Sequence, residues 1–111
     1  MEQGMAEEII IVFCSLPEEA DAVRLAGILV EEKLAACVQV LAPMQSVFFW
    51  EGQVQVAAER LLLCKTLASH YSVLERRLLE LHPYEVPEIL ALPVTTALAS
   101  YRGWMDDVLR G

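Results

Sequence analysis

The apolar positions of the chain change period several times, and each change marks an element. Ile9-Ile10-Ile11-Val12-Phe13 is unbroken, which predicts a strand over residues 8–15 buried on both faces. Pro17 suits the first turn of a helix, with Glu18, Glu19 and Asp21 complementing its N-terminal dipole. Val23, Ala26, Val30 and Leu34 then recur at helical spacing, Leu25 and Leu29 widen the stripe, and Lys33 falls in the last turn. The predicted helix runs over about residues 17–33. Residues 36–50 alternate instead, Val38 and Val40 around Gln39 and Val47 and Phe49 around Phe48, with Pro43 marking a bend in an edge strand. Glu51-Gly52 is a two-residue hairpin signal. Residues 53–66 return as a long strand that becomes apolar on both faces at Leu61-Leu62-Leu63-Cys64.

Ser69 is suited to cap a second helix, whose stripe is Tyr71, Leu74, Leu78 and Leu81, with Arg76 and Arg77 turned to water. Pro83 stops it, because proline fixes φ and disfavours helix in the residue before it. Between Pro87 and Pro93 only a short strand fits, residues 89–92. Tyr101, Trp104, Met105, Val108 and Leu109 mark a C-terminal helix. The order β-α-β-β-α-β plus α gives an α+β class: a ferredoxin-like split β-α-β sandwich with an extended β-hairpin and a C-terminal helix. Right-handed crossovers put the two crossover helices on one face of an antiparallel sheet. Residues 8–111 form a single domain, preceded by a flexible N-terminus over residues 1–7.

Two features do not suit a single copy. Hairpin arms of about 13 residues at 3.3 Å each reach ~43 Å, whereas about 17 helical residues cover only ~25 Å. The tip, with Phe48, Phe49 and Trp50, should overhang its own body as an aggregation hazard unless another chain covers it. The first and third strands are also apolar on the face that the crossover helices leave open, and the C-terminal helix can shield only part of it. A cyclic assembly of identical copies, sheet against sheet, resolves both. A monomer whose hairpin curls over its own sheet is the alternative.

Composition agrees. The 111 residues are 56% hydrophobic, above the usual range for a soluble domain. No apolar run is long enough to span a bilayer. The net charge of −8, from 16 acidic against 8 basic residues, argues against nucleic acid and against insertion at an anionic membrane. Cys14, Cys37 and Cys64 form no CxxC motif and no disulfide framework, and no leader pattern opens the chain, so a reducing, cytoplasmic setting is expected.

Four motifs occur in one order: Leu34-Ala35-Ala36-Cys37-Val38, Ser46-Val47-Phe48-Phe49-Trp50-Glu51-Gly52, Leu63-Cys64-Lys65-Thr66 and His82-Pro83-Tyr84-Glu85-Val86-Pro87-Glu88. Their order and spacing resemble the CutA divalent-cation-tolerance family over roughly residues 8–110. The resemblance implies a ferredoxin-like homotrimer, similar in architecture to the PII signalling proteins, with a role in tolerance of copper and other divalent metals. For some animal members it implies a scaffold role in anchoring acetylcholinesterase. It also implies weak copper binding through a Cys ending the first strand, here Cys14, and a His-His pair before the Pro-Tyr turn. His82 matches one of that pair, and Leu81 stands in place of the other.

Strand direction brings Cys14, His82 and the turn over residues 84–88 to one edge of the sheet, since the first strand and second helix both end there. Cys and His suit Cu(I) or zinc. Two ligands fall short of the three or four zinc takes from protein, so Glu85, Glu88 or a second subunit would have to complete the set. The other reading makes Cys14 a small buried hydrophobe and His82 the close of a helix. The resemblance also places clefts between subunits, lined partly by the Trp50 hairpin and the Pro-Tyr turn; with Tyr84, Glu88, Lys65 and Glu59 beside them, such clefts could hold a small ligand. A PII-like module reading an anionic metabolite there is the alternative function. Trp50 and Tyr84 could equally be interface anchors. No nucleophile stands with a base, and no P-loop or GxGxxG is present. The adjacent carboxylates Glu31-Glu32 and Asp106-Asp107 do not face each other on a helix. A binding protein rather than an enzyme is expected.

Overall fold

The computed structural model describes residues 7–111. Its elements are β1 (Ile9–Pro17), α1 (Ala22–Glu31), β2 (Cys37–Val40), β3 (Met44–Trp50), β4 (Gln53–Leu67), α2 (Tyr71–Leu81), β5 (Ile89–Val94) and α3 (Ala99–Arg110). The sheet is antiparallel in the order β2-β4-β1-β5, with β3 also pairing β4. The expected second strand is thus two strands, parted at residues 41–43 around Pro43 and laid end to end along one edge of β4. The hairpin turn follows from Glu51 and Gly52, both at positive φ (51° and 78°), as a two-residue turn matched to strand twist requires.

Register divides the sheet into two faces, because directly opposed residues share a side. Ile10, Val12, Cys14 and Leu16 lie opposite Thr66, Cys64, Leu62 and Arg60. The apolar members of this set pack with Leu25 and Leu29 of α1 and Leu74 and Leu78 of α2 as the main core. The other face carries Ile11, Phe13, Leu61, Leu63, Leu90 and Leu92. There α3 covers one end only, where Met105 and Leu109 pack on Ile9, Ala36 and Leu67. Leu90 remains 58% exposed.

The overhang is present. β4 has 15 residues against 10 in α1, and the molecule measures 52 Å by 25 Å by 23 Å. Phe49 at the hairpin tip is 71% exposed, and Val47, Val54 and Val56 are exposed beside it.

Several boundaries move. α1 does not start at Pro17: β1 keeps pairing with β4 through Pro17, and the Glu18 N–H donates to the Ala58 carbonyl at 3.0 Å. The cap is Asp21, whose carboxylate accepts from the Arg24 N–H at 3.1 Å. The later start shifts the buried stripe to Ala22, Leu25, Ala26 and Leu29 and leaves Val23 and Val30 in solvent. Lys33 follows α1 in the left-handed conformation, at φ 59°. Ser69 does not cap α2. It lies in a 3-10 turn (Ala68–His70), and its N–H donates to the Glu7 carboxylate. Arg77 is not free in water but forks onto both oxygens of Glu32 at 2.9 Å, tying α2 to the end of α1. β5 runs on through Pro93 to Val94. Of the segment expected to be flexible, Glu7 is held by Ser69, Arg102 and Arg110; the rest lies outside the described residues.

Thr66, fully buried, donates its hydroxyl to the Leu34 carbonyl at 2.8 Å and ties the loop after α1 to β4. Thr66→Val should lower stability in guanidinium unfolding by about 1–3 kcal/mol, because it leaves that carbonyl buried without a donor. Thr66→Ser, which keeps the hydroxyl, should recover most of the loss.

Candidate functional site

The end of β1 and the end of α2 meet as strand direction requires. β1 delivers Cys14 and Ser15, and α2 stops at His82 because Pro83 follows. The His82 ring then bridges three segments. Its Nδ1 accepts from the Tyr84 N–H at 3.0 Å, so the ring proton sits on Nε2, which donates to the Ser15 carbonyl at 2.6 Å. The rings of His82 and Tyr84 lie 5.0 Å apart at a tilt of 49°. From this pivot the Tyr84 hydroxyl donates to Glu59 Oε2 at 3.0 Å, and the Ser15 hydroxyl donates to Glu88 Oε1 at 3.4 Å. Burial first, then the hydrogen bond to Glu59 and the charges of Glu59 and Glu19, push the Tyr84 phenol above its ordinary value.

The pair expected to hold metal is brought to one edge but is not arranged as ligands. Both His82 nitrogens are engaged within the protein, which leaves no lone pair for a metal. Cys14 is fully buried, and its thiol meets only the Ser15 carbonyl, at 4.0 Å. Burial, helped by the charges of Glu88 and Glu59, pushes that thiol from an ordinary 9.0 up to about 12, whereas a metal ligand must be a thiolate. Among the described residues no three His, Cys, Asp or Glu side chains are grouped to hold an ion. The residues present do not fit a copper centre on Cys14 and His82.

The cleft residues fare differently. Trp50, Tyr84, Glu88 and Glu59 all line one open cleft of about 910 Å³, between the hairpin and the turn over residues 83–88. Phe48, Gln55 and Ser15 line it as well. Lys65 does not reach it. Six residues along β4 from Glu59, roughly 20 Å at strand rise, Lys65 pairs with Cys37 and stands 5.8 Å over the Tyr101 ring. Ser15 was not singled out from the sequence. Its signal was a polar residue interrupting an otherwise apolar strand, and it supplies both the carbonyl that holds His82 and the hydroxyl that holds Glu88.

A four-position antiparallel sheet with its two crossover helices on one face, an overhanging hairpin and a Pro-Tyr turn clasped to the first strand defines an α+β protein of the ferredoxin-like class. Residues 10–108 match the family model described as CutA1 divalent ion tolerance protein, and the chain belongs to that family. It is 38% identical over 103 residues to a divalent-cation tolerance protein CutA of Pectobacterium atrosepticum, covering 93% of this chain and 94% of that one. It is 40% identical over 101 residues to a chloroplastic CutA 1 protein of Oryza sativa, of which it spans 57%. The crystal structure of CutA1 from Oryza sativa superposes with a TM-score of 0.89 at 38% identity, over 93% of this chain and 94% of that one. The Pectobacterium relative is described as a divalent-cation tolerance protein. Among the described residues no helix is long and apolar enough to cross a membrane.

Burial also raises the Cys64 thiol to about 12. Both thiols hold their protons in the folded chain well above the pH at which unfolded thiols lose them. The folded state therefore binds more protons in that window, and stability should fall as pH rises from about 9 towards 12. Denaturant midpoints at pH 7.5 and 10.5 check this, and Cys14→Ala and Cys64→Ala should each flatten the slope. An unchanged slope in both variants would show that these thiols are not masked.

Proposed function

We propose that this chain works as a homotrimer with a binding or scaffolding role, not a catalytic one, in tolerance of divalent cations. The tolerance role follows from family membership. The observation that supports assembly is the uncovered strip Ile11, Phe13, Leu61, Leu63, Leu90 and Leu92, continuous with an exposed aromatic hairpin. A contiguous apolar surface of that extent is unusual on a lone domain. Three copies around one axis would each cover a neighbour's strip and wall the outer side of its cleft, so that whatever the protein binds is held near the seams.

Copper or another divalent cation is the ligand that the family role suggests, taken up weakly. The proposal places none on Cys14 and His82, for the reasons of geometry given above. The anion-binding alternative has nothing in its favour: the cleft carries Glu59, Glu85 and Glu88 and no lysine, arginine or free histidine.

Light scattering on the wild type should give about three times the 12.4 kDa chain mass. Leu90→Glu puts a charge on the strip at a position that is exposed in one copy. It should drop the mass towards that of a single chain with the circular dichroism spectrum unchanged. A bacterium lacking its own family member should regain growth on copper-containing medium with the wild-type chain and not with Leu90→Glu. A wild type that runs as a single chain would overturn the assembly.

A further inference from the structure

We propose that the Glu59 cleft is a binding site for an organic ammonium ion, an amine carried on an apolar or aromatic body. Three observations point the same way. Glu59 lines the cleft at 5% exposure, and among the described residues its one hydrogen bond comes from the neutral Tyr84 hydroxyl to Oε2. Its other oxygen has no donor among the described residues. A carboxylate buried with a single neutral donor is under-compensated, and the missing partner is a cation. The ion pairs among the described residues use Glu32, Glu80, Glu7 and Asp106, and none uses an acid of the cleft. The field there, from Glu59, Glu85 and Glu88, is of one sign.

The cleft also selects the kind of cation. Its volume, about 910 Å³, is that of a small-molecule site and far beyond what a bare ion needs. A calcium-like ion would want six or more oxygens, and one buried carboxylate beside exposed ones does not supply a cage. Its aromatic lining is Phe48, Trp50 and Tyr84, whose rings can attract ammonium groups and whose bodies take apolar carbon. A primary ammonium has three N–H donors. One would meet the free oxygen of Glu59, and a second would meet Glu88, which the Ser15 hydroxyl orients. The inference rests on the proposed assembly only in that a neighbouring copy would close the outer wall, since every group named belongs to one chain.

Titration calorimetry on the full chain at pH 7.5 tests this with three probes of one shape: benzylamine, benzyl alcohol and benzoate. Benzylamine should bind, with the alcohol and the carboxylate weaker by about tenfold or more. Glu59→Gln leaves Tyr84 an acceptor while removing the charge, and should weaken benzylamine by about tenfold or more. Trp50→Leu, at the exposed tip and outside the core, should weaken it about two- to fivefold. Benzoate binding as tightly as benzylamine, unchanged affinity in both variants, or no benzylamine binding up to ~10 mM would each overturn the proposal. Zinc chloride binding that is lost in Glu59→Gln, with benzylamine inert, would assign the cleft to a bare metal instead and overturn it too. Light scattering on the same solutions separates the two readings. A single-chain mass with amine binding intact overturns the assembly alone, and a three-chain mass without amine binding overturns this site alone.

Discussion

One strand is asked to do three jobs, and most of the molecule follows from that demand. β4 pairs β1 along residues 59–67 on one edge, and β2 and then β3 along the other. Its inner half lies in the body and its outer half is the hairpin arm. At about 3.3 Å per residue its 15 residues span roughly 50 Å, close to the 52 Å length of the whole chain. A crossover helix of 10 residues spans roughly 15 Å. Helices cannot cover such a strand: α1 and α2 lie on one side of it, and α3 caps only the inner end of the other. The buried positions Leu62, Cys64 and Thr66 alternate with the open positions Leu61, Leu63 and Lys65 for that reason.

The second constraint is the proline after α2. Pro83 ends the helix at His82 and leaves the chain to turn back into β5 within seven residues. The His82 ring makes that turn rigid by accepting from the Tyr84 N–H within it and donating to the Ser15 carbonyl near the end of β1. A histidine used in this way supplies order rather than chemistry. Its two nitrogens are spent on backbone groups, and the residues it orients, Tyr84 and through Ser15 also Glu88, face the cleft. The same geometry therefore argues against a metal on His82 and in favour of a preorganised wall beside Glu59.

Much of the fold was legible because its signals were local. The unbroken run at Ile9, the alternation around Val38 and Val54, the Glu51-Gly52 turn and the proline fence each identified an element. Strand direction alone brought β1 and α2 to one edge. The errors came from tertiary competition. Pro17 is a good helix starter, but pairing with Glu59 held it in the strand, and Asp21 took over the cap. Ser69 is a good cap, but its N–H was drawn to Glu7, a residue 62 positions away. Val23 fits a helical stripe by period, yet only the later helix start decides which face is buried. For the site, residue types said that Cys14 and His82 are metal ligands in general. They could not say that both nitrogens and the thiol are already committed. Lys65 was grouped with the cleft by motif, whereas register places it beside Cys37.

The proposed assembly requires an acidic chain to keep its charges off the shared surface, and the distribution here meets that requirement. Of the 16 acidic residues, Glu18, Glu19, Asp21, Glu31 and Glu32 flank or end α1, Glu75 and Glu80 lie on α2, and Asp106 and Asp107 on α3. On the open face of β1, β4 and β5 only two positions are charged, Glu59 and Lys65. Each sits at an end of the apolar strip and each is met by a tyrosine, Tyr84 for the acid and Tyr101 for the base. At physiological ionic strength, charges more than about 8 Å apart are largely screened, so acids on the helices and turn impose little repulsion across a sheet-to-sheet contact. The proposed shared surface and the acidic cleft can then coexist on one side of one sheet: the strip is neutral where copies would meet, and the negative field is confined to its rim, where a cation would enter.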